Sequence, residues 1–455
     1  MKTGKDLIDL GYRPGKWFGS ALAHINAAGL EGDALHRFLA DAQPHVVEPH
    51  APGALPFHCN IRAETPLEEE NVRAVSETME AVMTTPTAVA GAVMPDACPT
   101  GTPGQIPVGG VVATRNAIHP SMHSADVCCS VMMTNLGYAD PRTVLDHAQQ
   151  ITHFGGGGRT DTFPLEDGIS KRMKQNPLLN DEKSRQLARA HLGTQGDGNH
   201  FLYVGQLEST GETVLVTHHG SRGLGAYLYS QGMRIAENFR AERSPRTPAV
   251  NAWIPADEDY GQTYWDALQI VRDWTKLNHG VLHDRTASAA GQDIVHRIWN
   301  EHNFVFRDGK LFYHAKGATP LEDRFVPDST DGLRLVPLNM AEPILIVRGS
   351  RTATNLGFAP HGAGRNRSRA AHLRSKRGMP EREVFARETA GLDVRFFSGH
   401  IDLSELPSAY KDAATVQRQM SEFGLGEVVD RVLPYGCIMA GNWKRDAPWR
   451  KKRRK

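Results

Sequence analysis

A histidine in a glycine frame is the most informative chemical feature of this sequence. His361 is followed by Gly362, Ala363, Gly364 and Arg365, so an imidazole stands on a backbone with little side-chain bulk and close to a guanidinium. Glycine lets backbone N–H groups approach a ligand closely, and arginine offers a planar fork that matches phosphate oxygens. We therefore expect an anion, most naturally a phosphate, beside this histidine, which could act as a metal ligand, a general acid or base, or a nucleophile. The alternative is a glycine-rich turn whose histidine only caps a neighbouring carbonyl.

A carboxylate and two thiols in one short run indicate a metal site. Asp126 is followed by Val127, Cys128 and Cys129. Alternation along a strand would put Asp126 and Cys128 on one face, whereas a bend after Asp126 would let Cys129 converge with it instead. A thiolate can bridge two ions, and a neighbouring carboxylate favours harder divalent metals such as Mn²⁺.

Imidazoles at predicted strand ends or beside glycine strengthen this interpretation. They occur as Asn199-His200, His218-His219 and His302-Asn303. A lone histidine is more often a structural residue, but several such contexts together with the Asp-Cys run favour a metal centre. Arg222 follows His218 in a second glycine frame and resembles a phosphate clamp; the alternative is a turn whose arginine pairs with a surface carboxylate.

A mixture of strands and helices must position these residues. Residues 1–85 are expected to be mainly helical, after which apolar density rises. Because the strands and helices mix without a βαβ period, we predict an α+β fold with a mostly antiparallel core and inserted helices. The predicted strands include Val108–Val112, Val127–Met133, Phe201–Val204, Val214–Thr217, Lys310–His314 and Ile344–Val347, and the predicted helices include Glu68–Val82, Tyr260–Asn278 and Ala413–Phe423.

Composition limits the class of protein. The 455 residues carry 52 Lys and Arg against 51 Asp and Glu, so a basic surface must be local. Residues 442–455 form such a basic run, which we expect to be a solvated tail, with RNA-backbone contact as the alternative. The sequence has no long apolar run and no apolar signal region at its start, so no membrane association and a cytoplasmic location are expected. Its five cysteines indicate metal binding or reactivity rather than a disulfide framework.

Taken together, these segments resemble the RtcB family of RNA ligases over most of the chain. The matching motifs occur in order as Pro107–Thr114, Ser124–Val131, Gly196–Phe201, His218–Gly225, His302-Asn303, His314–Ala318, Val336–Met340, His361–Arg369 and Ala409–Asp412.

The resemblance implies a fold, an activity and partners. The fold would be a single large RtcB-like domain over residues 1–441, with a central metal and nucleotide cleft and a basic tail at 442–455. The activity would join an RNA 3′-phosphate or 2′,3′-cyclic phosphate end to a 5′-hydroxyl end, using GTP and two Mn²⁺ ions, in RNA repair or tRNA processing. The substrate would be RNA with such ends, and the need for an activating protein partner stays open.

The resemblance also implies roles for individual residues. Cys129 would bridge the two Mn²⁺ ions, with His218 and His302 at one ion and Asp126 and His200 at the other, and His361 would carry GMP. Nucleotide contacts would come from Asn199, His200, Phe201, Tyr203, His302, Asn303, Pro337, Asn339, Met340, Ile344, His361, Gly362, Ala363, Gly364 and Ala440. Contacts to RNA phosphates would come from Arg222, Arg365 and Arg369.

Four positions depart from the family pattern, mostly at the nucleotide. Tyr203 stands where an acidic residue usually reads guanine, Ile344 replaces a serine, Ala440 replaces a lysine, and Asp96-Ala97-Cys98 stands where Asp-x-His is common. Two alternative functions therefore stay open. One is an enzyme that nucleotidylates RNA 3′ ends without sealing them, and the other is an inactive RNA-binding homologue.

Overall fold

A computed structural model describes residues 1–444 apart from residues 16, 45, 101–103, 327–328 and 330. Most of the expected basic tail, residues 445–455, therefore lies outside the described residues. Within the described part, no helix is both long and apolar enough to cross a membrane.

Helices surround and interrupt the sheets. They are α1 Gly4–Asp9, α2 Trp17–Ala28, α3 Gly32–Ala42, α4 Pro66–Met83, α5 Pro141–Ile151, α6 Asp167–Gln175, α7 Glu182–Ala190, α8 Arg222–Arg243, α9 Asp259–Ala289, α10 Arg369–Ser375, α11 Glu381–Glu388 and α12 Ala413–Glu422.

Among the described residues, the strands form two large sheets and two small ones. They are β1 His58–Cys59, β2 Ala88–Cys98, β3 Val108–Arg115, β4 Ala117–Ile118, β5 Ser130–Asn135, β6 Phe201–Leu207, β7 Thr213–His219, β8 Ile254–Pro255, β9 His296–Glu301, β10 Asn303–Asp308, β11 Leu311–Lys316, β12 Ala318–Pro320, β13 Leu333–Pro337, β14 Ile344–Arg348, β15 Phe358–Pro360, β16 Asp393–Phe396 and β17 Glu427–Met439.

Antiparallel pairing dominates both large sheets. One sheet has the order β1-β2-β3-β11-β10, and the other has the order β13-β14-β17-β6-β7-β5-β9 with β16 beside β17. The described pairs between named strands are antiparallel except β1 with β2 and β16 with β17. The predicted α+β class with a mostly antiparallel core is therefore confirmed.

A long helix with one buried face supports the larger sheet. Helix α9 has 31 residues and packs against β5 and β7. Its Trp274 is fully buried, and the indole N–H donates to the Ala188 carbonyl at 3.0 Å, so the large ring is buried without leaving a polar atom unpaired. This helix continues eleven residues beyond the predicted end at Asn278, because buried residues recur on one face as far as Ala287.

The helical expectation for the first 85 residues holds for α1 to α4. Helices α1 to α3 share a small apolar core of their own, which includes Leu7, Ile25 and Leu39. Helix α4 begins at a capping box: the Thr65 hydroxyl accepts from the Glu68 N–H at 3.3 Å, and the Glu68 carboxylate accepts from the Thr65 N–H at 3.0 Å. Both hydrogen bonds satisfy N–H groups that the first helical turn leaves unpaired.

Replacing Thr65 by Ala should lower the free energy of unfolding by about 1 kcal/mol, because the N-cap acceptor is lost. The measurement is urea unfolding followed by circular dichroism. Thr65→Ser keeps the hydroxyl and is the matched control. Equal stability of the Ala and Ser variants would contradict the capping role.

Candidate active site

The ends of four neighbouring strands bring the predicted ligands to one edge of the larger sheet. Cys129 directly precedes β5, His200 directly precedes β6, His218 lies at the end of β7, and His302 directly follows β9. Strand β5 lies between β7 and β9, and β6 pairs with β7. Antiparallel neighbours alternate in direction, so the starts of β5 and β6 lie beside the ends of β7 and β9.

A sharp bend decides which cysteine faces the site. Cys128 has a positive φ of 59°, and its N–H donates to the Asn303 carbonyl at 2.6 Å. This bend sends the Cys128 side chain into the apolar core and turns Cys129 towards Asp126. The predicted strand Val127–Met133 consequently begins only at Ser130, because the left-handed backbone at Cys128 cannot continue a ladder.

Two groups of potential ligands share one thiol. Cys129, His218 and His302 form one group, and Asp126, Cys129 and His200 form the other, with the ligand atoms of each group within 4.8 Å of one another. Cys129 Sγ lies 3.2 Å from His218 Nε2 and 3.6 Å from His200 Nε2. The two groupings are those that the family resemblance implies.

Backbone carbonyls orient two of these imidazoles. His200 Nδ1 lies 2.7 Å from the Gln195 carbonyl oxygen, and His218 Nδ1 lies 3.2 Å from the Asn199 carbonyl oxygen. A carbonyl only accepts, so Nδ1 carries the hydrogen and Nε2 directs its lone pair inward.

The inward nitrogens lie against other atoms that can bind a metal. His200 Nε2 faces an Asp126 carboxylate oxygen at 3.1 Å, and His218 Nε2 faces His302 Nε2 at 3.1 Å. A divalent cation between such groups would satisfy them all, and a set of imidazole, thiolate and carboxylate suits a first-row transition metal. The residues present therefore fit a metal pair.

Burial keeps the imidazoles in the form that binds metal. It lowers the pKa of His218 to about 3 and that of His302 well below the usual value. Burial also raises the pKa of the Cys129 thiol well above its ordinary value, so that thiol needs a cation nearby to ionise. Although burial alone would raise the pKa of Asp126, His200 and the Arg222 guanidinium hold it below its usual range.

His361 stands beside this cluster with one ring nitrogen held. Its Nδ1 lies 2.6 Å from an oxygen of the buried Asp96 carboxylate, which also accepts the His361 backbone N–H at 3.1 Å. The carboxylate fixes the hydrogen on Nδ1 and leaves Nε2 as the nitrogen with a free lone pair. The His361 ring centroid lies 4.9 Å from that of His302.

Close packing explains the small residues around His361. Gly364 has a φ of 67°, and a Cβ there would overlap the Asp96 backbone. A Cβ on Gly317 would lie 2.9 Å from His361 Cε1. Only glycine fits both positions without moving the histidine or its carboxylate partner.

A cavity of about 400 Å³ opens onto His361 and the ligand cluster. Most of the predicted nucleotide contacts line it, namely Asn199, Phe201, Tyr203, His302, Asn303, Pro337, Asn339, Met340, Ile344, His361, Gly362, Ala363 and Gly364. His200 and Ala440 are the exceptions, since neither lines the cavity. Alternation along β17 turns Cys437 and Met439 towards the cavity, so Ala440 is buried in a separate apolar cluster with Ile438.

One wall of the cavity is apolar, including the position expected to read guanine. Phe201, Ile344, Cys437 and Met439 lie there, and Tyr203 is only 2% exposed. The Tyr203 hydroxyl donates to the Val432 carbonyl at 3.1 Å, and burial raises the pKa of this phenol well above its usual value. The hydroxyl hydrogen of Tyr203 is therefore already used in a hydrogen bond to the protein backbone.

The three predicted arginines lie at the cavity or beside the ligand cluster. Arg365 and Arg369 line the cavity, and both pair with the buried Glu405 carboxylate, at 2.7 and 2.6 Å. Arg222 is mostly buried, and its charge acts on Asp126. The pairings with Glu405 hold the Arg365 and Arg369 guanidinium groups in place at the edge of the cavity.

Two residues of this site were not predicted from the sequence. Asp96 was assigned only to a divergent motif, because nothing local links it to His361, which is 265 positions away. Lys316 lines the cavity and is 8% exposed, with its ammonium 3.3 Å from the Ile106 carbonyl. Burial lowers the Lys316 pKa to about 8. The sequence feature that could have indicated Lys316 is its position beside Gly317, just after the predicted strand Lys310–His314.

Known proteins match this chain over a long stretch. A family model described as tRNA-splicing ligase RtcB matches residues 142–440. The tRNA-splicing ligase RtcB of Pyrococcus abyssi is 27% identical over 336 residues, covering 64% of this chain and 36% of the relative. The protein of the same name from Pyrococcus furiosus is 27% identical over 337 residues, covering 64% and 34%. That of Thermococcus kodakarensis is 27% identical over 332 residues, covering 64% and 68%.

The chain spans about a third of the length of the two Pyrococcus relatives that it matches. The residues matched by the family model include His200, His218, His302 and His361 but begin after Asp126 and Cys129. The fold nevertheless brings these two residues to the same cluster. From the extent of the family match, this chain belongs to the RtcB family.

Proposed function

We propose that this protein is a GTP- and Mn²⁺-dependent RNA ligase. It joins RNA ends bearing a 3′-phosphate or a 2′,3′-cyclic phosphate to 5′-hydroxyl ends, in RNA repair or tRNA processing in the cytoplasm. One observation carries the proposal: His361 has Nδ1 held by Asp96, which leaves Nε2 available beside two ligand groups that share Cys129. The names of the relatives, which are tRNA-splicing ligases, support the same substrate class.

The two ligand groups are proposed to hold two Mn²⁺ ions. Cys129 would contribute to both, His218 and His302 to one, and Asp126 and His200 to the other. Ions bound there would neutralise negative charge on the phosphates during in-line displacement.

His361 is proposed to act as the nucleophile. Its Nε2 attacks the α-phosphorus of GTP, the N–P bond forms, and the P–O bond to the leaving pyrophosphate breaks. Asp96 stabilises the positive charge that develops on the imidazole, since its carboxylate accepts the Nδ1 hydrogen at 2.6 Å. This arrangement resembles the carboxylate that orients the histidine of a catalytic triad.

Transfer to RNA and sealing follow at the same cavity. An oxygen of the RNA 3′-phosphate attacks the guanylate phosphorus, which restores His361 and gives an activated RNA end. The incoming 5′-hydroxyl then attacks the RNA 3′-phosphorus, the phosphodiester forms, and GMP leaves. A cyclic phosphate is first opened by water, with the 2′ oxygen as the leaving group.

Cationic side chains around the cavity are proposed to hold the phosphates. Arg222, Arg365 and Arg369 are suited to RNA phosphates, and Lys316 adds a buried positive charge at the cavity wall. Asn199 and the backbone of residues 362–364 would contact the nucleotide α-phosphate, because they line the cavity beside His361.

Nucleotidylation should depend on His361 and on its orientation by Asp96. Incubation with Mn²⁺ and α-labelled GTP should give an acid-labile adduct on the protein, which His361→Ala abolishes. Asp96→Asn keeps the size of the side chain but removes its charge, and should slow adduct formation at least about a hundredfold. If the adduct persists in His361→Ala, the nucleophile is a different residue. Adduct formation without joining of RNA would favour the end-modifying activity instead.

The adjacent cysteines provide a matched pair for testing the metal groups. Cys129→Ala should abolish binding of the Mn²⁺ pair and both chemical steps, because the shared ligand is lost. Cys128→Ala should keep the metals, since that side chain lies in the apolar core. Titration of each variant with Mn²⁺, followed by electron paramagnetic resonance, measures this difference. Retained nucleotidylation in Cys129→Ala would refute the bridging role.

Base selection should respond to Tyr203. Tyr203→Glu places a carboxylate in the apolar wall, where it can accept two guanine N–H groups, so preference for GTP over ATP should rise at least about tenfold. Tyr203→Phe removes only the hydroxyl, which already donates to Val432, and should leave the preference unchanged. Competition between the labelled nucleotides for the adduct measures both variants. Unchanged selectivity in Tyr203→Glu would place the base elsewhere in the cavity.

A further inference from the structure

Cationic side chains are concentrated in the segment that follows His361. Residues 365–377 contain six Lys and Arg and no Asp or Glu, whereas the chain as a whole carries 52 Lys and Arg against 51 Asp and Glu. The segment covers most of the loop before helix α10, the helix itself and the turn after it. Such a local excess of positive charge indicates a polyanionic partner unless carboxylates elsewhere in the fold are paired with it.

Two of the six cations are paired within the protein, at the cavity. Arg365 and Arg369 contact the buried Glu405 carboxylate at 2.7 and 2.6 Å, and the Tyr410 hydroxyl donates to the same carboxylate at 2.6 Å. The Arg365 guanidinium also lies 4.4 Å from the Tyr410 ring centroid. Arg365 and Arg369 are therefore held in place at the edge of the cavity that they line.

Helix α10 turns one side towards the protein. Its His372 is only 4% exposed, and the helix packs against residues 403–405. Lys376, four positions later, has its ammonium 2.9 Å from a Glu388 carboxylate oxygen on α11. Residues four apart lie on the same side of a helix, so this side of the segment is covered and its cation is paired.

Three arginines of the segment remain exposed. Arg374 and Arg377 are three positions apart and lie on the side away from His372, and Arg367 lies in the loop before the helix. All three are exposed, and none has an ion-pair partner in the part of the chain that the structure describes. We call Arg367, Arg374 and Arg377 the arginine set. Their guanidinium groups can bind phosphates without breaking an existing ion pair.

The arginine set continues the series of cations that begins at the cavity. Arg367 lies between Arg365 and Arg369 in the sequence, and Arg374 and Arg377 follow on the same helix and the turn after it. At about 1.5 Å of rise per residue, Arg377 lies roughly 12 Å along this segment from Arg369. Cations thus extend from the cavity edge along an exposed surface, as a bound polyanionic strand requires.

We propose that the arginine set binds the phosphate backbone of the RNA strand whose 3′ end lies at His361. This inference rests on the proposed ligase function and adds a contact with the same substrate outside the cavity. Arginine contacts to backbone phosphates carry no base readout, so the contact would hold strands of any sequence. Continuity with Arg365 and Arg369, which line the cavity, favours an RNA strand over an anionic membrane or an acidic protein.

Binding of RNA without nucleotide or metal tests this contact. The probe is a fluorescent single-stranded RNA of about 15 nucleotides with a 3′-phosphate, measured by anisotropy over a salt series. Replacing all three arginines of the set by Gln should weaken binding at least about tenfold at physiological salt. The slope of log Kd against log salt should also fall by about 2, because each phosphate contact to a single strand contributes about 0.7.

Matched variants separate position from net charge. Replacing Lys5, Arg13 and Arg37, three exposed cations of the first 40 residues, by Gln removes the same charge and should leave affinity and slope unchanged. Replacing the arginine set by Lys should keep most of the affinity, because phosphate neutralisation needs the charge. Unchanged affinity and slope after replacement of the set by Gln would overturn the proposal. Equal losses in the control variant would also overturn it, as would binding of the unaltered protein to anionic vesicles but not to RNA.

Reaction kinetics separate this inference from the ligase function. The nucleotide adduct on His361 forms without RNA, so replacing the arginine set by Gln should leave its rate unchanged. Transfer of the labelled guanylate to RNA should instead need at least about tenfold more RNA for its half-maximal rate. Absence of an adduct in the unaltered protein would contradict the ligase function, and the anisotropy result would then decide the RNA contact alone. An adduct whose transfer has the same RNA dependence in both proteins would contradict only the contact.

Discussion

A cluster of potential ligand atoms held against one another is the constraint on which the site depends. Backbone carbonyls hold Nδ1 of His200 and His218, so the Nε2 atoms must point towards the Asp126 carboxylate, the Cys129 thiol and His302. Burial prevents water and protonation from relieving this arrangement, because it lowers the pKa values of His218 and His302. A cation is the simplest partner for these groups, and the sheet edge is built to present them.

The position of the site follows from the junction between the two large sheets. His302 is the single residue between β9 of one sheet and β10 of the other. Asp96, which holds His361, lies in β2 of the smaller of these two sheets, whereas Cys129, His200 and His218 lie at strand ends of the larger one. His361 itself directly follows β15 of the two-stranded β12-β15 sheet, so the predicted nucleophile, its carboxylate partner and the ligands come from different sheets, with 4.9 Å between the His361 and His302 ring centroids. Glycine at 317 and 364 allows this close approach.

The site separates groups suited to chemistry from groups suited to recognition. Charged and ligating residues surround His361 at one end of the cavity, while aromatic and aliphatic side chains form a wall that includes Tyr203 and Ile344. The Tyr203 hydroxyl donates its hydrogen to the Val432 carbonyl, so stacking and apolar contact dominate that wall. Arg222, Arg369 and Lys444 lie at the loop around Asp197, at the charged end of the site.

Local sequence determined a large part of this protein. Apolar runs broken by glycine and proline, together with helical spacing, predicted the α+β class, and imidazoles at strand ends or beside glycine favoured a metal centre. Which of these side chains share an ion was implied by the resemblance to the RtcB family. Tertiary structure alone decided the rest. Alternation left Cys128 and Cys129 open, and the bend at Cys128 gives the physical reason for Cys129, which the family resemblance implied; the inward face of β17 excluded Ala440. The pairing of Asp96 with His361 required the packing of segments 265 positions apart. Local patterns encode the period and direction of each element, but which elements become neighbours depends on burial across the whole chain.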